Sequence, residues 1–182
     1  MDHAQGASRP ELVGGTWVGE PLLSPASSAD LSTVQMIFDN LTAYSQHVDG
    51  VPRRDNAAHE FATALSPGHD LCHKHAFMAS HQGAPVGLLD LIDSYPARGS
   101  AFIGLLAVRE SAKRVGLGRA LYCEAERFAR DELGAWSLRL AVVEANPVMG
   151  FWIKMGFHPT GEVKPFEGKT TRSRAVLMEK DL

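Results

Sequence analysis

The chain has 182 residues, 45% of them hydrophobic and 21% charged, and carries a formal net charge of −3. That length and balance suit one soluble domain large enough to bury a core. The acidic balance speaks against non-specific nucleic-acid binding, which needs a broad basic face, and no apolar run reaches membrane-spanning length. Residues 1–10 lack the basic and apolar regions of a signal peptide and read as a mobile tail, ahead of a single domain over 11–182. Thr16–Leu23 reads as a short strand. "SPASSAD" supplies turn and cap residues, and Leu31, Val34, Ile37, Phe38 and Leu41 then recur at helical spacing within "LSTVQMIFDNLTAY". "GVPRRD" breaks that helix, "NAAHEFATAL" gives a second, and "SPG" ends it. "HKHAFMASHQGAPVGLLDLI" reads as two strands joined at a Gly/Pro turn, followed by the turn "SYPARGS" and the strand Ala101–Val108. From Leu117 an amphipathic helix presents Leu121, Ala125, Phe128 and Ala129 on one face, with Glu126 and Arg130 at the spacing of an i,i+4 pair and Gly134 placed to end it. Ser137–Glu144 is the next strand, Asn146 the expected cap of a short helix opened by Pro147 and ended by Gly156, and "FHPTGEVKP" and "SRAVLMEKDL" two closing antiparallel strands. The fold class is α/β (α+β), with one mixed central sheet.

The seam "KRVGLGRAL" between strand and helix asks for bare backbone, since glycine costs roughly 0.5–1 kcal/mol in either element. A helix N-terminus attracts anions, and glycine at 116 and 118 admits a phosphate to the backbone. Four cations (Arg109, Lys113, Arg114, Arg119) against one acid (Glu110) point the same way, though a tight turn with solvated basic residues is equally compatible. The dinucleotide pattern G-x-G-x-x-G fails at Leu121, and "EGKT" lacks the glycine at 163 of a P-loop.

An apolar strand, then "KRVGLG" opening a helix, then "LRLAVVEANP" and "FWIKMGF", resembles the GNAT superfamily of acetyl-CoA-dependent N-acetyltransferases. The likeness runs from about Val86 to the C-terminus. The family signature [Q/R]-x-x-G-x-[G/A] reads here as Lys113, Arg114, Val115, Gly116, Leu117, Gly118, with lysine in place of the usual first residue. The resemblance implies a sheet of about seven strands flanked by about four helices. It implies that backbone N–H groups from Val115 to Arg119 hold the cofactor pyrophosphate, and that backbone at Leu106, Ala107 and Val108 pairs with the pantetheine arm. Asn146, Phe151 and Trp152 join that cofactor set. Many relatives carry a tyrosine, four residues before the "GF" glycine, that protonates the departing thiolate. Trp152 stands there and has no proton to give, so its reading is core packing. A thiolate of pKa near 8.5 leaves tolerably without a side-chain acid.

Acetyl transfer to an amine passes through a tetrahedral intermediate, whose oxyanion a strand N–H freed by a bulge near Leu106–Val108 would stabilise. Deprotonating a lysine-like amine at pH 7 costs about 4.6 kcal/mol, which favours a general base. The base candidates are Glu144, at a strand end beside Asn146, and Asp90, a carboxylate inside a strand that needs a partner or a purpose. Tyr95 is a candidate lining residue of the acceptor pocket. His73 and His75 would share a strand face, but no second ligand pair at zinc spacing follows, so no metal is expected. Cys72 and Cys123 form no redox pair and suit a reducing, cytoplasmic setting. The expected substrate is a small-molecule amine. A protein amine, or a catalytically silent acetyl-CoA-binding domain, is the alternative. The resemblance leaves a homodimer open.

Overall fold

The structure, a computed structural model, describes residues 21–66 and 68–182. The expected tail at residues 1–10 and most of the Thr16–Leu23 strand lie outside them. The first described strand is β1 (Leu22–Pro25). Ser27 then opens a short 3-10 turn with a capping box, its hydroxyl accepting from Ala29 N–H while Asp30 accepts from Ser27 N–H.

The helix read as one piece is two, α1 (Leu31–Asp39) and α2 (Thr42–Asp49). Asn40 and Leu41 turn their N–H groups onto Ile37 and Phe38, and the break swings Leu41 into the core at 1% exposure. Leu41 has no side-chain oxygen to cap α2. The Glu110 carboxylate accepts from Ala43 N–H at 2.7 Å instead, placing its negative charge on the positive end of α2. α3 (Ala57–Thr63) follows, and then β2 (Lys74–His81), β3 (Ala84–Asp93), β4 (Ser100–Val108), α4 (Leu117–Asp131), β5 (Ser137–Val143), α5 (Met149–Lys154), β6 (His158–Glu167) and β7 (Arg172–Asp181). The split makes five helices among the described residues, where about four were expected.

The seven strands form one sheet in the order β1-β2-β3-β4-β5-β7-β6, antiparallel except where β4 and β5 run parallel across the α4 crossover. Helix α4 covers one face, where Leu117, Leu121, Ala125 and Ala129 meet Leu89, Leu91, Leu138 and Leu140. Helices α1 and α3 cover the other, where Ile37, Phe38, Ala58 and Phe61 meet Leu88 and Ala107. Strand alternation explains β3: Leu89 and Leu91 face α4, so Leu88 and Asp90 face α1–α3.

Strand β4 breaks this alternation once. Asp90 pairs with Leu105 and Leu91 with Ile103, so Gly104 is an extra residue in β4. Ala101 and Ile103 face α4 before the bulge, and Leu106 and Val108 do so after it. The bulge therefore lies at Gly104, not near Leu106–Val108 as expected. Only there does the apolar pattern change phase.

Three local expectations are also corrected. Asn146 does not cap α5: a tight turn closes around Pro147, with Val148 N–H donating to the Asn146 carbonyl at 2.8 Å, and the helix starts at Met149. Glu126 is not paired with Arg130 but accepts from Lys180 at 2.9 Å, while Arg130 turns to Asp131. His73 belongs to a 3-10 turn ahead of β2 rather than to the strand face of His75.

Candidate active site

Strands β4 and β5 pair only from Ser100–Ile103 against Ser137–Leu140. Beyond that point β4 stays with β3 and β5 with β7, so the two part in a wedge. Parallel strands close a gap only through their ladder. Once it ends, the backbone edge of Leu105–Val108 away from β3 has no strand partner. The bulge at Gly104 sits where the ladder stops.

The glycine seam lies beyond the wide end of that wedge. Arg114 and Gly116 take left-handed conformations, with φ of 68° and 89°, and Gly116 is the N-cap of α4. With no side chain to cap the helix, the N–H groups of its first turn lack intrahelical partners, the first helical bond being Ala120 N–H to Gly116 C=O. A Cβ on Gly116 would meet nothing within 4 Å, and one on Gly118 only the Phe151 ring at 3.9 Å. Glu110 is held at α2, so the exposed Lys113, Arg114 and Arg119 leave the turn positive.

On the α1–α3 side of the bulge lies a cavity of about 250 Å³, lined by Asp90, Gly104 and Leu105 of the sheet, Lys74 of β2, Tyr44 and Asp49 of α2, Arg54, Glu60 and Phe61 around α3, and Phe166 of β6. Asp90 Oδ1 accepts from Lys74 Nζ at 2.8 Å, with both side chains buried. Its other oxygen lies over Gly104, 2.5 Å from where a Cβ would stand, so glycine at the bulge is what makes room for the carboxylate. Burial pushes the Asp90 carboxyl above the usual carboxylate range, and Lys74 opposes that shift. Arg54 pairs with Asp49 at 3.1 Å and with Glu60, and lies over the Phe38 ring. The β6–β7 hairpin closes one wall: Thr170 N–H donates to Asp49 C=O at 2.9 Å, and Gly168 passes so near that a Cβ would stand 2.4 Å from the Val48 carbonyl oxygen. A larger groove of about 740 Å³ lies across Lys74 and Phe61, between α1, α3 and β2, and touches neither the glycine turn nor β4.

The Acetyltransferase (GNAT) family model matches residues 38–157, a span that holds the wedge, the bulge and the glycine turn together. The chain belongs to the GNAT acetyltransferases. An acetyltransferase from Thermus thermophilus shares the fold at 24% identity, with TM-score 0.63 over 90% of this chain and 97% of that one. The ribosomal-protein-S18-alanine N-acetyltransferase of Escherichia coli does so at 17% identity and TM-score 0.64, over 88% and 93%. A spermidine N-acetyltransferase from Vibrio cholerae, solved with CoA and spermine, aligns at 16% identity and TM-score 0.65, over 89% and 95%. No curated protein matches the chain by sequence.

In this acetyltransferase the expected site residues fall into two groups. Leu106, Ala107, Val108 and Lys113–Arg119 run along one edge of the wedge and around the turn, and Phe151 packs beside Gly118. Trp152 is 7% exposed and stacks edge-on with Tyr122, Phe151 and Phe157, as a core residue would. The one tyrosine against it, Tyr122, accepts from Lys180 Nζ through its hydroxyl, and Lys180 pairs with Leu138 at the closed end of the sheet. Asp90 lines the cavity. Glu144 does not: it stands exposed beyond β5, and Arg174 donates to both of its oxygens at 2.8 and 2.9 Å. Tyr95 stacks on His69 and Phe102 at the start of β4, the end away from the wedge. Sequence reading missed Tyr44, Asp49, Arg54, Glu60 and Phe166, which no spacing brings together. Lys74 had a signal, as the only cation in the strand that pairs with that of Asp90.

Proposed function

We propose that the protein transfers an acetyl group from acetyl-CoA to the primary amine of a small molecule, with Asp90 as general base. The observation that carries this reading is the parting of β4 and β5 at Gly104, with the glycine turn on one side and the Asp90 cavity on the other. The residues fit the cofactor. The open faces of Gly116 and Gly118 admit a diphosphate to the N–H groups of Val115–Arg119, and the free edge of Leu106–Val108 suits an extended amide arm. Acetyl-CoA supplies the acetyl group as an activated thioester.

The chain's own residues do the rest. The ammonium must lose a proton before it can attack, and Asp90 Oδ2 is the acceptor. Lys74 fixes Oδ1, and burial raises the proton affinity of the carboxylate toward the working pH. Leu105 lines the cavity beside the bulge, where backbone donors preset in a strand can meet a developing oxyanion. The hairpin tip docks on α2 and holds one wall of the cavity in place. A cavity of about 250 Å³ suits a small amine.

Free-thiol release from acetyl-CoA across an amine panel tests the proposal, alongside thermal protection by CoA. Protection with amine-dependent thiol release is expected. Protection without thiol release from any amine would leave a silent binding domain, and no protection would remove the cofactor assignment.

A further inference from the structure

The same cavity carries a charge pattern that selects among amines, an inference that rests on the reading of the cavity as the acceptor site. Its lining holds three carboxylates, Asp49, Glu60 and Asp90, against two cations, Arg54 and Lys74. Both cations are already engaged. Lys74 is bound to Asp90 and lies 5.7 Å from the Phe61 ring centre, while Arg54 is bound to Asp49 and Glu60 and lies 5.8 Å from that of Phe38. An incoming carboxylate would find no free cation and would face Glu60, whose side chain is 43% exposed.

An incoming ammonium meets the opposite situation. It brings the charge count to three against three. The Asp49–Arg54 contact of 3.1 Å is close but misaligned, leaving Asp49 Oδ2 and Arg54 Nε buried without a hydrogen bond among the described residues. Both atoms are shielded from the cavity, so the ligand-facing charge is that of the more exposed Glu60. The remaining walls are apolar: Tyr44 and Phe166 carry rings that no cation covers among the described residues. A ring face beside a carboxylate suits a cation on a flat apolar body.

We infer that the acceptor is a compact monoammonium with an apolar, ring-sized body and no carboxylate of its own, held by Glu60 and packed against Tyr44 and Phe166. One surplus negative charge calls for a single ammonium. A free amino acid is disfavoured by its carboxylate.

2-Phenylethylamine and phenylalanine differ by that carboxylate alone, and both are titrated by calorimetry into the full chain saturated with CoA, so the readout does not need turnover. The expected result is a Kd for 2-phenylethylamine at least tenfold lower than that for phenylalanine. Glu60→Gln should weaken 2-phenylethylamine at least threefold and leave phenylalanine unchanged or tighter. Equal binding, tighter binding of phenylalanine, or binding of neither would overturn the inference. Turnover is measured separately. Acetylation of some other amine would then preserve the proposed activity while this specificity falls, and selective binding without any turnover would do the reverse.

Discussion

Asp90 is a carboxylate that an ordinary core would reject, and two features retain it: a lysine on one oxygen and a glycine beneath the other. Asp90→Asn is expected to lower kcat by about 10²–10⁴-fold while CoA still raises the Tm. That retained protection matters, because the substitution also leaves Lys74 buried without its counter-charge, a loss of about 3–5 kcal/mol for buried pairs. Gly104→Ala, which puts a methyl 2.5 Å from Asp90 Oδ2, should reduce kcat in the same direction. If Glu144→Gln lowers kcat as far as Asp90→Asn does, the base is Glu144 and the Arg174 fork opens in turnover.

The pH profile follows from the same carboxyl. Its folded pKa lies above the ordinary value, so kcat/KM should fall as pH drops through that raised pKa, measured with an acceptor whose own pKa is far higher. Asp90→Asn should lose that limb. For stability the sign reverses. The folded state holds this proton longer than the unfolded chain, so its contribution is full below the unfolded carboxylate pKa and is lost as pH rises through the folded one. Tm measured against pH for the protein and for Asp90→Asn should diverge over that window.

Among the elements, the β6–β7 hairpin has the least visible and most consequential placement. Its tip binds the C-terminal end of α2, where Gly168 lies against Val48 and Asp49 and Thr170 bonds to Asp49. Gly168→Val would force that contact apart. The expected outcome is a raised KM for the amine, with the CoA-induced Tm shift kept, because the glycine turn lies on another part of the sheet. An unchanged amine KM would show that the hairpin does not shape the cavity. Helix α4 shows the converse, an element whose role was legible: Leu121, Ala125 and Ala129 define its buried face, and Gly116 begins it in a left-handed conformation open to solvent. The break between α1 and α2 was not legible. Helical spacing persists through Leu41, and only the packing of Leu41 into the core shows why the backbone turns there.

For the whole molecule, one sheet joins two apolar layers, so the wedge is held from both faces. Leu121→Ala, at a site with 0% exposure, should cost about 2–5 kcal/mol, and each kcal/mol should lower Tm by roughly 2–4 °C at this size. Calorimetry should show one transition, with CoA restoring part of the lost Tm by binding the folded state. Two transitions would mean that the α1–α3 layer unfolds apart from the sheet.

The sequence by itself determined the strands, the α4 amphipathic face, the glycine turn and hence the family, because each of these is written in residues adjacent or a few positions apart. Asp90 was also visible there, as a charge inside an apolar strand. The tertiary structure alone decided which carboxylate meets the bulge. Glu144 stands beside the cofactor motif in sequence yet ends on Arg174, while Asp90 reaches Gly104 through strand register. It also decided the wall of the Asp90 cavity, since Tyr44, Asp49, Arg54, Glu60 and Phe166 come from segments far apart in the chain. Periodicity reports what a residue does within its own element. Charge pairing and cavity shape depend on contacts between elements, and no local spacing records those.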